Sequence, residues 1–252
     1  MKKNILLLGG SSEAFQLADH LHDHPKISLM SSLAGRTSLP RKPKGAYRTG
    51  GFGGQEGLAT YLQTNQIHAL IDATHPFAET MSSNAHQAAT QTGTPHIQLT
   101  RPPWTQDPND IWIEANTVKD AAQKIPNDLS PIFLTIGRGD LTAFLSHRET
   151  TFLTRAIEKP KEGEHLPDNF SFIYGKGPFS YEDEMQLIKT HKIKAIVSKN
   201  SGGDQAFAKI KVARALKIPV IMIKRPAAPK GPLAETTDQV LSWLATIIKH
   251  NG

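Results

Sequence analysis

Residues 69–78 read ALIDATHPFA, a short apolar run that ends in Asp72, Thr74 and His75 with Pro76 behind them. A carboxyl, a hydroxyl and an imidazole this close together can accept, donate and orient a proton. Ala69, Leu70 and Ile71 read as the end of a buried strand, and the TMSSNAHQAA that follows as a helix. Ligands of open α/β sheets bind at the carboxyl ends of the strands, so this turn is a candidate catalytic position. The alternative is a histidine that only packs or caps the next helix.

Other strand ends carry donors. VSKNSGG groups Lys199, Asn200 and Ser201 ahead of Gly202 and Gly203, a set that suits an anion, although a lysine beside a glycine turn needs no ligand. TIGRGDL repeats the design at Gly137 and Arg138, and YGKGPFSYEDE at Gly175 to Phe179, where GPF also reads as a rigid turn. Near the start, LLLGGSSEA places Gly9, Gly10, Ser11 and Ser12 between a strand and a helix. A Rossmann fold presents backbone amides to a pyrophosphate there, although the G-x-G-x-x-G pattern is incomplete. The second strand ends in SLAGRTS, with Arg36 after Gly35 and before Thr37 and Ser38. An NAD-binding domain usually places an acid there for the ribose 2′-hydroxyl. An arginine suits a 2′-phosphate and favours NADPH over NADH. RTGGFGGQEGL then brings five glycines between Gly50 and Gly57, bracketing Phe52, as expected where a ligand approaches the backbone closely or where several positions need positive φ.

The elements that must position these residues follow from patterning. Strand-like runs (NILLL, ISLMSSL, HALID, HIQLT) alternate with helical ones, and after a proline-rich break at Pro102, Pro103 and Pro108 the pattern restarts with IWIEA and runs to the C-terminal TTDQVLSWLATIIKH. Such alternation is the signature of βαβ units on parallel sheets. Two α/β domains are expected, residues 1–104 and 105–252, with a linker short enough for a strand of one half to complete the sheet of the other. EKPKEGEHLPDN reads as a surface loop.

Composition narrows the chemistry. With no cysteine among 252 residues, thiolate nucleophiles, thiolate metal sites and disulfides are excluded. His20, His22 and His24 read as a solvated helix end, and no metal site is expected. A net charge of +6 suits an anionic cofactor or a polyanionic small substrate, and no basic block or nucleic-acid motif accompanies it. No apolar run approaches the roughly 18 residues of a membrane helix, and MKKNILLLGG reads as a first strand and not a signal peptide, so a cytoplasmic protein is expected.

The strings LLLGGSSEA, SLAGRT, GGFGG, IDATHPFA with MSSNA, RPPW, FLTIGR, GPF, SKNSGG, AKI and VIMIKRP occur in this order along nearly the whole chain. Together they closely resemble the precorrin-6A reductase family of vitamin B12 biosynthesis. The resemblance implies two Rossmann-like domains with mainly parallel sheets, strand exchange between them, and an active site in the interdomain cleft. It implies NADPH-dependent reduction of precorrin-6A to precorrin-6B, with hydride going to one ring carbon and a proton to its neighbour; His75 is then the natural candidate donor, with Asp72 orienting it or acting in its place, and water or the substrate is the alternative source. NADPH would be held through Gly9, Gly10, Ser11, Ser12, Gly35, Arg36, Thr37, Gly51, Phe52, Gly53 and Thr74. The tetrapyrrole carboxylates would meet Arg138, Lys199, Asn200 and Ser201, and product would pass to other enzymes of the pathway. No nucleic acid or membrane partner is implied. Ser11 stands where the family commonly has threonine, and both are hydroxyl donors. A cobalt-containing substrate, a non-catalytic NADPH-sensing module and a nucleic-acid binder are the rival readings.

Overall fold

The computed structural model describes residues 2–35, 41–157 and 166–249, so Arg36, Thr37, Ser38 and most of the EKPKEGEHLPDN loop lie outside the described residues. In chain order the elements are β1 (Lys3–Leu8), α1 (Ser12–Leu21), β2 (Ile27–Leu33), β3 (Ala46–Thr49), α2 (Gly54–Thr64), β4 (Ala69–Asp72), α3 (Glu79–Thr92) and β5 (His96–Leu99). They continue with β6 (Trp112–Ala115), α4 (Val118–Gln123), β7 (Ile132–Thr135), a 3-10 helix (Arg138–Phe144), β8 (Phe152–Ala156), β9 (Phe170–Tyr174) and α5 (Tyr181–Thr190). The chain then forms β10 (Ala195–Lys199), a second 3-10 helix (Asp204–Ala206), α6 (Ala208–Leu216), β11 (Val220–Ile223), β12 (Leu233–Ala234) and α7 (Thr237–Lys249).

Two units result. The first holds the residues up to Pro102 together with those from Pro226 onward, and the second holds Pro103–Arg225. The first sheet has the order β12-β5-β4-β1-β2-β3 and the second β6-β11-β10-β7-β8-β9, with every pairing parallel. In each, the chain winds outward from a central strand in one direction, then returns to build the other side. One edge strand of each sheet stands out of the winding order. β12, which follows the second unit in the chain, completes the first sheet beside β5, and β6, the first strand of the second unit, completes the second sheet beside β11.

The residues from Pro226 onward therefore do not belong where the sequence division at 105–252 put them. Leu233 and Ala234 pair with Gln98 and Leu99. Val240 and Leu244 of α7 join Leu17, Leu21, Ile5 and Leu7 in one apolar cluster. An apolar stripe says that a helix needs a sheet and carries no label for which one. The exposed edge strand β3 and the two-residue β12 also escaped sequence reading, because neither shows an apolar run or alternation.

β1 shows why these elements form. Ile5, Leu6, Leu7 and Leu8 are all at most 2% exposed, as expected of a strand covered on both faces. Ile5 and Leu7 meet α1 and α7, while Leu6 and Leu8 meet Leu58 and Leu62 of α2 and Ala85 and Ala89 of α3. Each buried leucine contributes about 1.5–3 kcal/mol. α1 starts because the Ser11 hydroxyl accepts from Ala14 N at 3.1 Å, and it buries Ala14, Leu17, Ala18 and Leu21 at helical spacing.

The second unit carries charge in its interior. Arg155 forks onto Glu184 at 2.6 and 2.9 Å, with its guanidinium 3.8 Å from the Phe179 ring centre and 4.8 Å from that of Phe133. Lys209 donates to Ala206 O at 2.7 Å and lies 5.3 Å from the Trp104 ring. Burial pulls its pKa from 10.5 down to about 8, against the attraction of Glu184. The folded state thus holds fewer protons than the unfolded state between about pH 8 and 10.5, so this group costs stability below pH 8 and the cost fades as pH rises through that window. Relative to wild type, Lys209→Met is expected to be more favourable at pH 7 than above pH 10 by about 3 kcal/mol, read from urea unfolding at both pH values. A difference that does not vary with pH would show that Lys209 titrates as an exposed lysine does.

Candidate functional site

In the first sheet the winding direction reverses between β1 and β4, whose ends Leu8 and Asp72 are paired. The loops that leave these two strands converge. Gly9 N donates to Ser32 O at 2.9 Å, which ties the turn to β2. Gly10 has φ +118, a conformation closed to ordinary side chains, and the chain then enters α1. The Ser11 hydroxyl donates to Ala73 O at 2.7 Å while capping α1, so it joins the β1 turn to the β4 turn. With both its donor and an acceptor site occupied, Ser11 acts on the main chain. Ser12 Oγ donates to Glu13, and both oxygens of Glu13 accept from Arg101 at 2.8 and 2.9 Å. Burial alone would raise the Glu13 pKa, but the Arg101 bond and charge hold it below the ordinary carboxylate range.

The β4 loop is built by Asp72. Its Oδ1 accepts from Thr74 N at 3.0 Å and from Thr74 Oγ1 at 2.7 Å, fixing the turn through its own side chain. Asp72 is 1% exposed, and its Oδ2 is buried with no hydrogen-bond partner among the described residues. On the adjacent strand, burial lowers the pKa of His96, and the Asp72 charge acts in the opposite direction. His75 is exposed, with Nδ1 accepting from Phe77 N at 3.3 Å. Thus Asp72 shapes the turn that carries Thr74 and His75.

Beside these loops, Gly35 follows β2, and Gly50 N donates to Leu33 O at 2.9 Å. Arg36 and Thr37, expected at the 2′-phosphate, lie outside the described residues. Gly51, Phe52 and Gly53 lead from β3 into α2, and their loop is held by Arg48, a residue that sequence reasoning missed. The Arg48 guanidinium lies 4.0 Å from the Phe52 ring centre and donates to Ser32 Oγ and to the carbonyls of Gly50 and Gly51 at 2.9–3.1 Å. Gly57 is required for a different reason: a Cβ there would sit 1.7 Å from Phe52 O. An arginine two residues ahead of a glycine cluster was the available signal.

The second sheet reverses between β7 and β10, and the donors singled out there stand at the ends of these two strands. Arg138 opens the 3-10 helix after β7, and Lys199 ends β10. Lys199 Nζ bonds Asp140 Oδ2 of that same helix at 2.6 Å. Arg138, Asp140 and Lys199 together leave one net positive charge at this edge. Ser201 is buried. Asn200 is engaged with Trp104, its Oδ1 accepting from Trp104 N at 2.8 Å and its Nδ2 donating to Trp104 O at 2.9 Å. Elsewhere, His20 Nδ1 pairs with Gln16 O and His22 Nδ1 with Asp19 O, both on their own helix. Among the described residues no group of three or more His, Cys, Asp or Glu is placed to hold a metal, and no helix is long and apolar enough to cross a membrane.

Comparison with known proteins places this geometry. The precorrin-6A reductase of Rhodococcus erythropolis is 44% identical over 249 residues, 98% of this chain and 99% of that protein. The precorrin-6A reductase of Mycobacterium tuberculosis is 40% identical, covering 96% of this chain and 97% of that one. A solved structure of CobK precorrin-6A reductase superimposes with a TM-score of 0.91 at 37% identity, over 97% of both chains. The family model described as precorrin-6x reductase CbiJ/CobK matches residues 4–245, and with two parallel six-stranded sheets arranged as in that structure, the chain belongs to this reductase family.

Proposed function

We propose that the chain reduces precorrin-6A to precorrin-6B with NADPH in cobalamin biosynthesis. The observation that carries this reading is the reversal point of the first sheet, where a glycine turn, the start of α1 and the β4 loop are joined by the Ser11–Ala73 bond. These residues fit a dinucleotide. Gly10 lets the backbone approach a pyrophosphate, the first-turn amides of α1 favour an anion, and Gly35 follows the strand at whose end a ribose is normally read. The GGFGG loop and Thr74 would complete the contact, with Arg36 and Thr37 on the 2′-phosphate.

When bound, NADPH supplies the hydride. The chain's own task is to hold the macrocycle by its peripheral carboxylates, for which Arg138, Lys199 and Ser201 are the proposed donors, and to place one ring carbon for reduction. A proton must reach the neighbouring carbon, and the His75 ring is the proposed donor, held on the turn that Asp72 shapes. The name precorrin-6A reductase, borne by the relatives of 40% identity and above, supports the metal-free macrocycle as substrate, against the lower identity, 25–28%, of relatives named cobalt-precorrin-6A reductase. The cytoplasm, where NADPH is regenerated, is the setting this reading implies, with a further pathway enzyme receiving the product.

The direct test follows NADPH consumption by the purified protein with precorrin-6A and, in parallel, with its cobalt complex. Turnover of the cobalt complex alone would reassign the substrate, and turnover of neither would refute the reading. Arg36→Ala is expected to weaken NADPH by about 1.5–3 kcal/mol and to leave NADH nearly unchanged, as measured by titrating both cofactors; equal losses would remove Arg36 from the 2′-phosphate. His75→Ala should lower turnover roughly 100-fold or more with little change in NADPH affinity. A nearly fully active variant would leave water or the substrate as the proton source.

A further inference from the structure

The loop that joins β10 to the 3-10 helix at Asp204 is held at its carbonyls by Arg225 and Trp104 and through its own Asn200 side chain. Asn200 meets both main-chain groups of one residue, accepting from Trp104 N at 2.8 Å and donating to Trp104 O at 2.9 Å. A carboxamide offers a donor and an acceptor side by side without charge, whatever the pH. Arg225 then takes two carbonyls, donating through Nε to Asn200 O at 2.9 Å and through Nη2 to Ser201 O at 2.7 Å. The Trp104 indole takes a third, donating through Nε1 to Gly203 O at 2.8 Å. Trp104 is itself 9% exposed, in the same apolar cluster as Phe133, Ile196 and Met222, with its ring centre 5.4 Å from that of Phe207.

A connection between a strand and a helix does not require this much fixing. The sheet pairing of β10 is complete without it, and Asn200 N already continues the ladder to Ile223 O at 2.9 Å. What the three side chains determine is the path of residues 200–203, and with it the direction of Lys199 on one side and Ser201 within. We propose that Asn200, Trp104 and Arg225 are positioning residues for substrate binding, aiming Lys199 and Ser201 at a carboxylate of the macrocycle without touching it. This rests on the reading that Lys199 belongs to the substrate site. It also changes the part expected of Asn200, from ligand to brace.

The test compares Lys199→Ala, Asn200→Ala, Asn200→Asp and Trp104→Phe in the full chain, reading the Michaelis constant for precorrin-6A, the NADPH dissociation constant and thermal unfolding. Trp104→Phe keeps an aromatic ring in the core and removes the donor to Gly203 O together with part of the indole's volume, a loss that thermal unfolding reads. It and Asn200→Ala are each expected to raise the substrate Michaelis constant by about tenfold or more, with NADPH binding within about twofold of wild type. Combining the two should add little, because both act through one loop. Asn200→Asp loses the donor when ionised and regains it when protonated, so its Michaelis constant relative to wild type should fall as pH is lowered, while that of Asn200→Ala should not.

Outcomes separate cleanly. If Lys199→Ala leaves the Michaelis constant unchanged, the substrate assignment fails and the inference with it. If Lys199→Ala raises it and Trp104→Phe does not, the assignment stands and the positioning role is wrong. A large effect of Asn200→Ala beside a normal Trp104→Phe would mean that Asn200 touches the substrate itself. Should Asn200→Ala not fold, Trp104→Phe decides alone.

Discussion

A parallel sheet must be covered on both faces, because its strands have no side to turn toward water. The rest of this molecule depends on that constraint. One run of βα units can cover only one face, so the chain has to return to the central strand and wind the other way. In the first sheet α1 and α7 cover the face of Ile5 and Leu7, and α2 and α3 that of Leu6 and Leu8. The place where winding reverses leaves two neighbouring strands whose following loops part to opposite faces, and a ligand can enter between them. Both units have such a place, after β1 and β4 in one and after β7 and β10 in the other.

Loops at those places would be free to move if apolar burial were the only force, since they lie beyond the core. Here they are fixed by side chains that bond to main chain. Ser11 joins the β1 turn to Ala73, Asp72 holds Thr74, Arg48 holds Gly50 and Gly51, and Asn200, Trp104 and Arg225 hold residues 200–203. One such bond contributes only about 0.5–1.5 kcal/mol net, but a buried partner left unsatisfied costs about 1–3 kcal/mol, so the arrangement is specific out of proportion to its net energy. The same reasoning covers the buried Arg155–Glu184 pair, which holds Phe179 by its ring face. Its gain in stability is small against hydrophobic residues of equal volume, while loss of either partner leaves a buried charge.

Much of this architecture was legible in the sequence. The alternation of apolar runs and amphipathic helices fixed the class as parallel α/β. Strings such as DATHPFA and SKNSGG carried the family resemblance, and the same strings marked the strand ends that the fold gathers at its two reversal points. These features are local. An apolar run of four or five residues dictates a buried strand, and glycines next to polar residues dictate a turn, whatever the rest of the chain does.

Tertiary structure alone decided which sheet each element joins and what each polar side chain bonds to. The apolar face of α7 fits any sheet that lacks a cover, and only the pairing of Leu233 and Ala234 with β5 brings it to the first. Asn200 and Ser11 have the composition of ligand-binding residues, yet their partners, Trp104 and Ala73, lie 96 and 62 positions away in the chain. A hydrogen bond depends on angle and distance in space. Sequence order therefore showed where the polar groups stand and left open whether each faces a ligand or its own main chain.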